Sequence, residues 1–127
     1  MGKRQKFCRE KIVEGYKTDL FIEDTKTLIE VKTLLSFTEE GRFPSMESSR
    51  AEAQLEKISE LLDKGYRVCY IVMSLNPQVK TIHINTDFGK YCKLFQDYMD
   101  KGMEAKGFSI RLRDMKPEIY GTIDVSL

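Results

Sequence analysis

The sequence predicts a single α/β domain with a mixed central β-sheet flanked by helices, and three stretches carry that reading. Residues 16 to 35, YKTDLFIEDTKTLIEVKTLL, alternate like two strands about a polar tip. Residues 50 to 65 place Ala51, Leu55, Ile58 and Leu62 on one helical face. Tyr66 to Met73, YRVCYIVM, is an almost unbroken apolar run, the pattern of a central strand covered on both faces. Strands, helix, strands, helix, strands is the order of a sheet with helices packed on it. At 127 residues the chain suffices for one such domain with a real core.

Each element has a local reason. Met1 to Lys6 offers nothing apolar to bury, so residues 1–9 are expected to form a loose basic arm and residues 10–127 the folded domain. Lys11-Ile12-Val13-Glu14 reads as a short strand, and Gly15 permits a bend before the hairpin. A turn centred between Asp24 and Thr25 pairs Phe21 with Leu28 and, continuing the same register, Asp19 with Glu30. Ser36 to Pro44, punctuated by Gly41 and Pro44 and carrying Phe37 and Phe43, reads as a loop beside that hairpin. Ser49-x-x-Glu52 is a capping-box pattern, so a helix starts near Arg50 and ends at Gly65. Asn76-Pro77 turns the chain into a strand from Val79 to Ile84. Asp87 is expected to cap a second helix with Phe88, Tyr91, Cys92, Phe95, Met99 and Met103 as its apolar stripe. Phe108 to Leu112 and Ile119 to Val125 then form two strands about a turn at Lys116-Pro117.

Composition narrows the function classes. Hydrophobic residues at 41% and charged residues at 32% describe a soluble globular chain. The run Val68 to Met73 is too short to cross a bilayer and Met1 to Lys6 is no signal peptide, so a cytoplasmic protein without membrane contact is expected. Cys8, Cys69 and Cys92 are odd in number and widely spaced, and read as reduced thiols. A net charge of +1 excludes a strong electrostatic nucleic-acid binder, although Lys3, Arg4, Lys6, Arg9, Lys11 and Lys17 outweigh Glu10 and Glu14 near the N-terminus.

The hairpin register raises a chemical question. Directly opposed residues have Cβ atoms about 4.5–5.5 Å apart, so Asp19 and Glu30 would repel unless a cation lies between them or Lys32 neutralises them. Lys32 stands two residues beyond Glu30 and shares its face. Two carboxylates, the Val31 backbone carbonyl and waters make an all-oxygen set suited to Mg²⁺ or Mn²⁺, and no sulfur or imidazole group is offered to zinc. A solvated strand with Glu30 and Lys32 pointing to water would show the same spacing. Arg50, Gln54 and Lys57 line one edge of the first helix, from where Arg50 and Lys57 could meet a phosphodiester and Gln54 orient a ligand. The only histidine, His83, shares its strand face with Thr81 and reads as a surface residue.

From about Glu10 to the C-terminus the chain resembles the C-terminal domain of the sugar fermentation stimulation protein A family, itself similar to PD-(D/E)xK nucleases with their restriction-endonuclease-like core. The residues that carry this are Asp19, Glu30-Val31-Lys32, Gly41-Arg42-Phe43-Pro44, Arg50 and the helix around Leu55. The chain departs from the family pattern at Ser45, Ala51 and Gln54, where an acid, a Gly and a His are usual. The resemblance implies DNA as partner and metal-dependent hydrolysis of its phosphodiesters. Asp19, Glu30 and Val31 would hold Mg²⁺ or Mn²⁺, Lys32 would position the attacking water, and Arg42, Arg50, Gln54 and Lys57 would contact nucleic acid. No N-terminal OB-like domain of the kind full-length members carry is expected ahead of residue 10, and no small-molecule sugar site is evident. The alternative is a non-catalytic DNA-binding or regulatory module that retains the nuclease fold.

Overall fold

The computed structural model describes residues 7–34, 36, 38–44 and 49–126. Lys3, Arg4, Lys6, Phe37 and Ser45, singled out above, lie outside the described residues. In chain order the elements are β1 (Phe7–Arg9), β2 (Ile12–Val13), β3 (Tyr16–Lys17), β4 (Leu20–Ile22), β5 (Thr27–Leu34), β6 (Glu40–Phe43), α1 (Ser49–Asp63), β7 (Arg67–Ser74), β8 (Thr81–Ile84), α2 (Gly89–Asp100), β9 (Glu104–Arg113) and β10 (Lys116–Ser126). The described strands form a mixed sheet in the order β1-β4-β5-β7-β9-β10-β8-β6, with β2 and β3 as a separate hairpin.

The β4–β5 hairpin has the expected register, with Phe21 opposite Leu28. Its turn is closed by the Lys26 N–H donating to the Glu23 carbonyl at 3.3 Å, and Lys26 takes φ 51°. The parallel crossovers from β5 to β7 and from β7 to β9 step the same way across the sheet. Crossovers of one hand then put both helices on the same face. There Leu55, Ile58 and Leu61 of α1 and Tyr91, Phe95 and Tyr98 of α2 share a core with Leu28, Tyr70 and Val72. On the other face Ile29, Val31, Cys69, Ile71 and Met73 stay partly exposed, so the apolar run of β7 alternates in burial instead of being covered on both sides.

Several sequence expectations are corrected. Residues 7–9 are not loose: they pair antiparallel with β4, whose outer edge would otherwise present unpaired backbone groups. Residues 40–43 are not loop but strand β6, paired in parallel with β8 at the far margin of the sheet. Phe43 is accordingly buried, its ring 6.2 Å from Tyr70 and 6.1 Å from Tyr91. Asp87 does not cap α2; the N-cap is Phe88 without a side-chain bond, and the Asp87 N–H instead donates to Asn85 Oδ1 at 3.0 Å. The β9–β10 turn falls at Asp114 and Met115, with φ 52° and 65°. Pro117 lies within β10 opposite Leu112, a stretch where β10 pairs with β9 alone and one edge is open.

Gly107 lies tight against Ile123 of β10. A Cβ there would stand 2.8 Å from the Ile123 carbonyl oxygen and 3.1 Å from Ile123 Cβ. Gly107→Ala is therefore expected to lose about 1–3 kcal/mol through overpacking, seen as a lower urea midpoint; an unchanged midpoint would contradict this packing. Among the described residues no helix is long and apolar enough to cross a membrane.

Candidate functional site

The site grows from two short antiparallel ribbons. Val13 pairs with Tyr16 across a two-residue turn at Glu14 and Gly15, whose φ values of 51° and 79° suit a tight hairpin. This ribbon is tied down at both ends: the Thr18 N–H donates to the Lys11 carbonyl at 2.9 Å, and the Glu10 N–H to the Asp19 carbonyl at 3.0 Å. The Thr18 hydroxyl donates to the Leu20 carbonyl at 2.8 Å and lies 3.2 Å from that of Ile29, joining the ribbon's exit to β4 and β5. A cavity of about 450 Å³ opens between this ribbon, β5 and α1. Glu10, Gly15, Tyr16, Lys17, Asp19, Glu30, Lys32, Arg50 and Gln54 line it.

Asp19, Glu30 and Lys32 thus meet in one solvent-connected space. The β4–β5 ladder ends at Leu20 opposite Ile29, one pair short of Asp19 and Glu30. Released from the ladder, Asp19 turns its carboxylate so that Oδ2 accepts the Val31 N–H at 2.8 Å. In an extended strand the N–H and C=O of one residue point to the same edge, so the Val31 carbonyl also faces the Asp19 side. Lys32 Nζ donates to Gln54 Oε1 of α1 at 3.1 Å, which directs the ammonium across the cavity.

Glu30 is the unusual group. It is 2% exposed, and its Oε1 has no hydrogen-bond partner among the described residues. Burial pushes its carboxyl up to about 6; the Asp19 charge adds to this, while Tyr16 and Lys32 pull it down. Tyr16 is 6% exposed and its hydroxyl is likewise unpartnered. The phenol is close enough to bear on the carboxylate, yet the two oxygens do not close a hydrogen bond of good geometry. Burial, then Glu30, drives the Tyr16 phenol far above its ordinary range. Each buried polar atom left unpaired costs about 1–3 kcal/mol, so the pair is a place where a new partner would offset what folding removed. Behind them, Tyr70 and Tyr91 share a buried hydroxyl bond of 2.8 Å and are satisfied.

The oxygens at this wall of the cavity could serve only a hard cation. Two carboxylates and a backbone carbonyl supply oxygen only, and among the described residues no three His, Cys, Asp or Glu side chains converge. Such a sparse set fits an ion that keeps several waters, as Mg²⁺ does when one or two carboxylates and substrate oxygens complete its shell.

The remaining residues singled out from the sequence divide. Arg50 and Gln54 line the cavity; Lys57, one turn further along α1, does not, and pairs with Glu60 at 3.0 Å. Arg42 is carried away by β6 into a separate cleft of about 300 Å³ with Glu40, His83, Ile84, Asn85 and Thr86, where it lies 4.0 Å from Asp87. His83 sits in that cleft too, 3.9 Å from Glu40 and part of no carboxylate cluster. Sequence reasoning did not single out Tyr16. Its signal was the Glu14-Gly15 turn, which makes residues 12 to 17 a hairpin and sends Tyr16 inward with Val13.

Comparison with known proteins gives three findings. The family model "Sugar fermentation stimulation protein RE domain" matches residues 1–116. A sugar fermentation stimulation protein homolog from Shewanella pealeana is 27% identical over 101 residues, 76% of this chain and 43% of the relative. A structure of Pyrococcus furiosus SfsA, solved in complex with Ca²⁺, superposes with a TM-score of 0.81 at 17% identity, covering 94% of this chain and 54% of that one. The chain spans about half the length of these relatives.

Proposed function

The chain belongs to the sugar fermentation stimulation protein family, and from that membership and the chemistry of the cavity we propose that it is a divalent-cation-dependent nuclease acting on DNA. The observation that carries the reading is Glu30: a buried carboxylate beside Asp19 and Lys32 at the wall of an open cavity. Asp19, Glu30 and the Val31 carbonyl would hold Mg²⁺ or Mn²⁺. Ca²⁺ in the Pyrococcus SfsA structure supports a divalent ion in this fold. When bound, the ion supplies Lewis-acid stabilisation of a phosphodiester and makes water a better nucleophile.

The chain's own residues do the rest. Lys32, aimed by Gln54, holds a water in line with the phosphorus and offsets charge developing on the phosphoryl oxygens. Arg50 at the cavity wall receives a neighbouring phosphate, and Lys17 extends the positive rim. With a net charge of +1 the protein neutralises few phosphates, so its grip on DNA is weak and salt-sensitive.

The test is cleavage of plasmid and of single-stranded oligonucleotide with Mn²⁺, with Mg²⁺ and in EDTA. Cleavage with either ion, absent in EDTA, is the expected result. Activity no greater than that of a Lys32→Ala preparation under all conditions would remove the enzymatic reading, and DNA affinity undiminished in EDTA would then favour a binding module.

A further inference from the structure

We propose that Tyr16 is a positioning residue for Glu30: its phenol donates to the carboxylate and thereby fixes the oxygen that Glu30 turns toward the cavity. This rests on reading the cavity as a divalent-cation site, and it assigns a role to a residue that contributes no ligand.

Among the described residues, the Tyr16 hydroxyl and Glu30 Oε1 are the buried side-chain oxygens without a partner, and they stand at the same cavity. A phenol can donate and an ionised carboxylate can only accept, so the two are complementary as they stand. A rotation of the Glu30 carboxyl toward the phenol would make the bond, and a cation drawing on its other oxygen would favour that rotation. Asp19 already has such a restraint, the Val31 N–H on its Oδ2.

The ring of Tyr16 is held by packing. Tyr16 and Val13 both pack in the core, and the turn between them is tied to the end of α1 by a Glu14 to Lys64 ion pair at 3.1 Å. The side chain cannot swing its hydroxyl to water without emptying that packing. Phenylalanine would fill the same space and bury no hydroxyl, which makes the hydroxyl, not the ring, the informative part of Tyr16. Partners that orient metal ligands in this way typically matter 10–100-fold in metal affinity.

The experiment is a calorimetric titration of Mn²⁺ into wild type, Tyr16→Phe and Tyr91→Phe, with a thermal melt of each. Tyr91→Phe is the control: it removes a buried hydroxyl that Tyr70 satisfies, away from the cavity lining. The expected outcome is a Kd for Mn²⁺ about 10–100-fold weaker in Tyr16→Phe at a near-native melting temperature, with Tyr91→Phe less stable but unchanged in Mn²⁺ affinity. A Tyr16→Phe Kd within about threefold of wild type, or equal weakening in both variants, would overturn the positioning role while leaving the cation site intact. A wild type that takes up no Mn²⁺ would overturn both.

Discussion

Lys32→Ala is expected to slow metal-dependent DNA cleavage by about 10²–10³-fold while leaving Mn²⁺ binding unweakened. The two effects should separate because Lys32 is positive: it would stabilise charge appearing on the phosphoryl oxygens during reaction, yet would repel a cation held by Asp19 and Glu30. Its ammonium is held by Gln54 at 3.1 Å, so its position is set before substrate arrives. Preorganised charge in a confined site is worth more than the same charge in water, which is why one side chain can account for so large a factor. Lys32→Arg should not restore the rate, since a planar guanidinium cannot take the place of a compact ammonium against Gln54. Single-turnover cleavage and a parallel calorimetric titration check both halves. A variant that loses Mn²⁺ binding along with activity would show that Lys32 builds the site instead of acting in it.

Glu30→Gln should make the metal-free protein more stable and the metal-loaded protein less so. The Glu30 carboxyl titrates at about 6 in the folded protein against 4.5 for an unperturbed group, with burial as the first cause. A folded value raised above the unfolded one means that its contribution to stability is fully present below about 4.5 and is lost as pH rises through about 6. At neutral pH the ionised group therefore costs about 2 kcal/mol, and an amide removes that cost. Without metal, the variant's melting temperature at pH 7.5 should rise by several degrees, and the gain should vanish by about pH 4. With Mn²⁺ at about 100 times its Kd, wild type gains about 2.7 kcal/mol that the variant cannot, and the order reverses. A variant less stable than wild type at pH 7.5 in EDTA would contradict this account of Glu30.

What the sequence disclosed and what it hid follow from how local each feature is. The Asp24-Thr25 turn fixes the β4–β5 register by itself, so the gathering of Asp19, Glu30 and Lys32 at one cavity could be read from residue spacing, although the ladder stops at Leu20 and Ile29 and does not pair Asp19 with Glu30. The buried face of α1 was nearly as local, a matter of helical period, although Leu61 is its fully buried residue in the last turns while Ala51 and Leu62 are only partly buried. β6 was not: Gly41 and Pro44 punctuate like a loop, and Glu40 to Phe43 becomes a strand only because β8, some forty residues away, offers an open edge. That displacement also took Arg42 out of the site. Gly41 reads as punctuation, but a Cβ there would come within 2.5 Å of Leu34 Cδ2, so its small size serves packing. β1 likewise forms on a partner's free edge, with three residues too few to announce themselves. The turn at Asp114-Met115 takes two positive φ values without the Asn-Gly or Asp-Gly pair that usually signals them, which shifted the expected turn onto Pro117. Tyr16 stayed hidden because a two-residue strand leaves no periodicity to read.

The most direct measurement is an anomalous difference map from a crystal soaked in Mn²⁺. A single strong peak between the carboxylates of Asp19 and Glu30, within ligand distance of the Val31 carbonyl, is the result predicted. A map with no peak there at a concentration that saturates Mn²⁺ binding in solution, or with the ion held elsewhere on the chain, would contradict it.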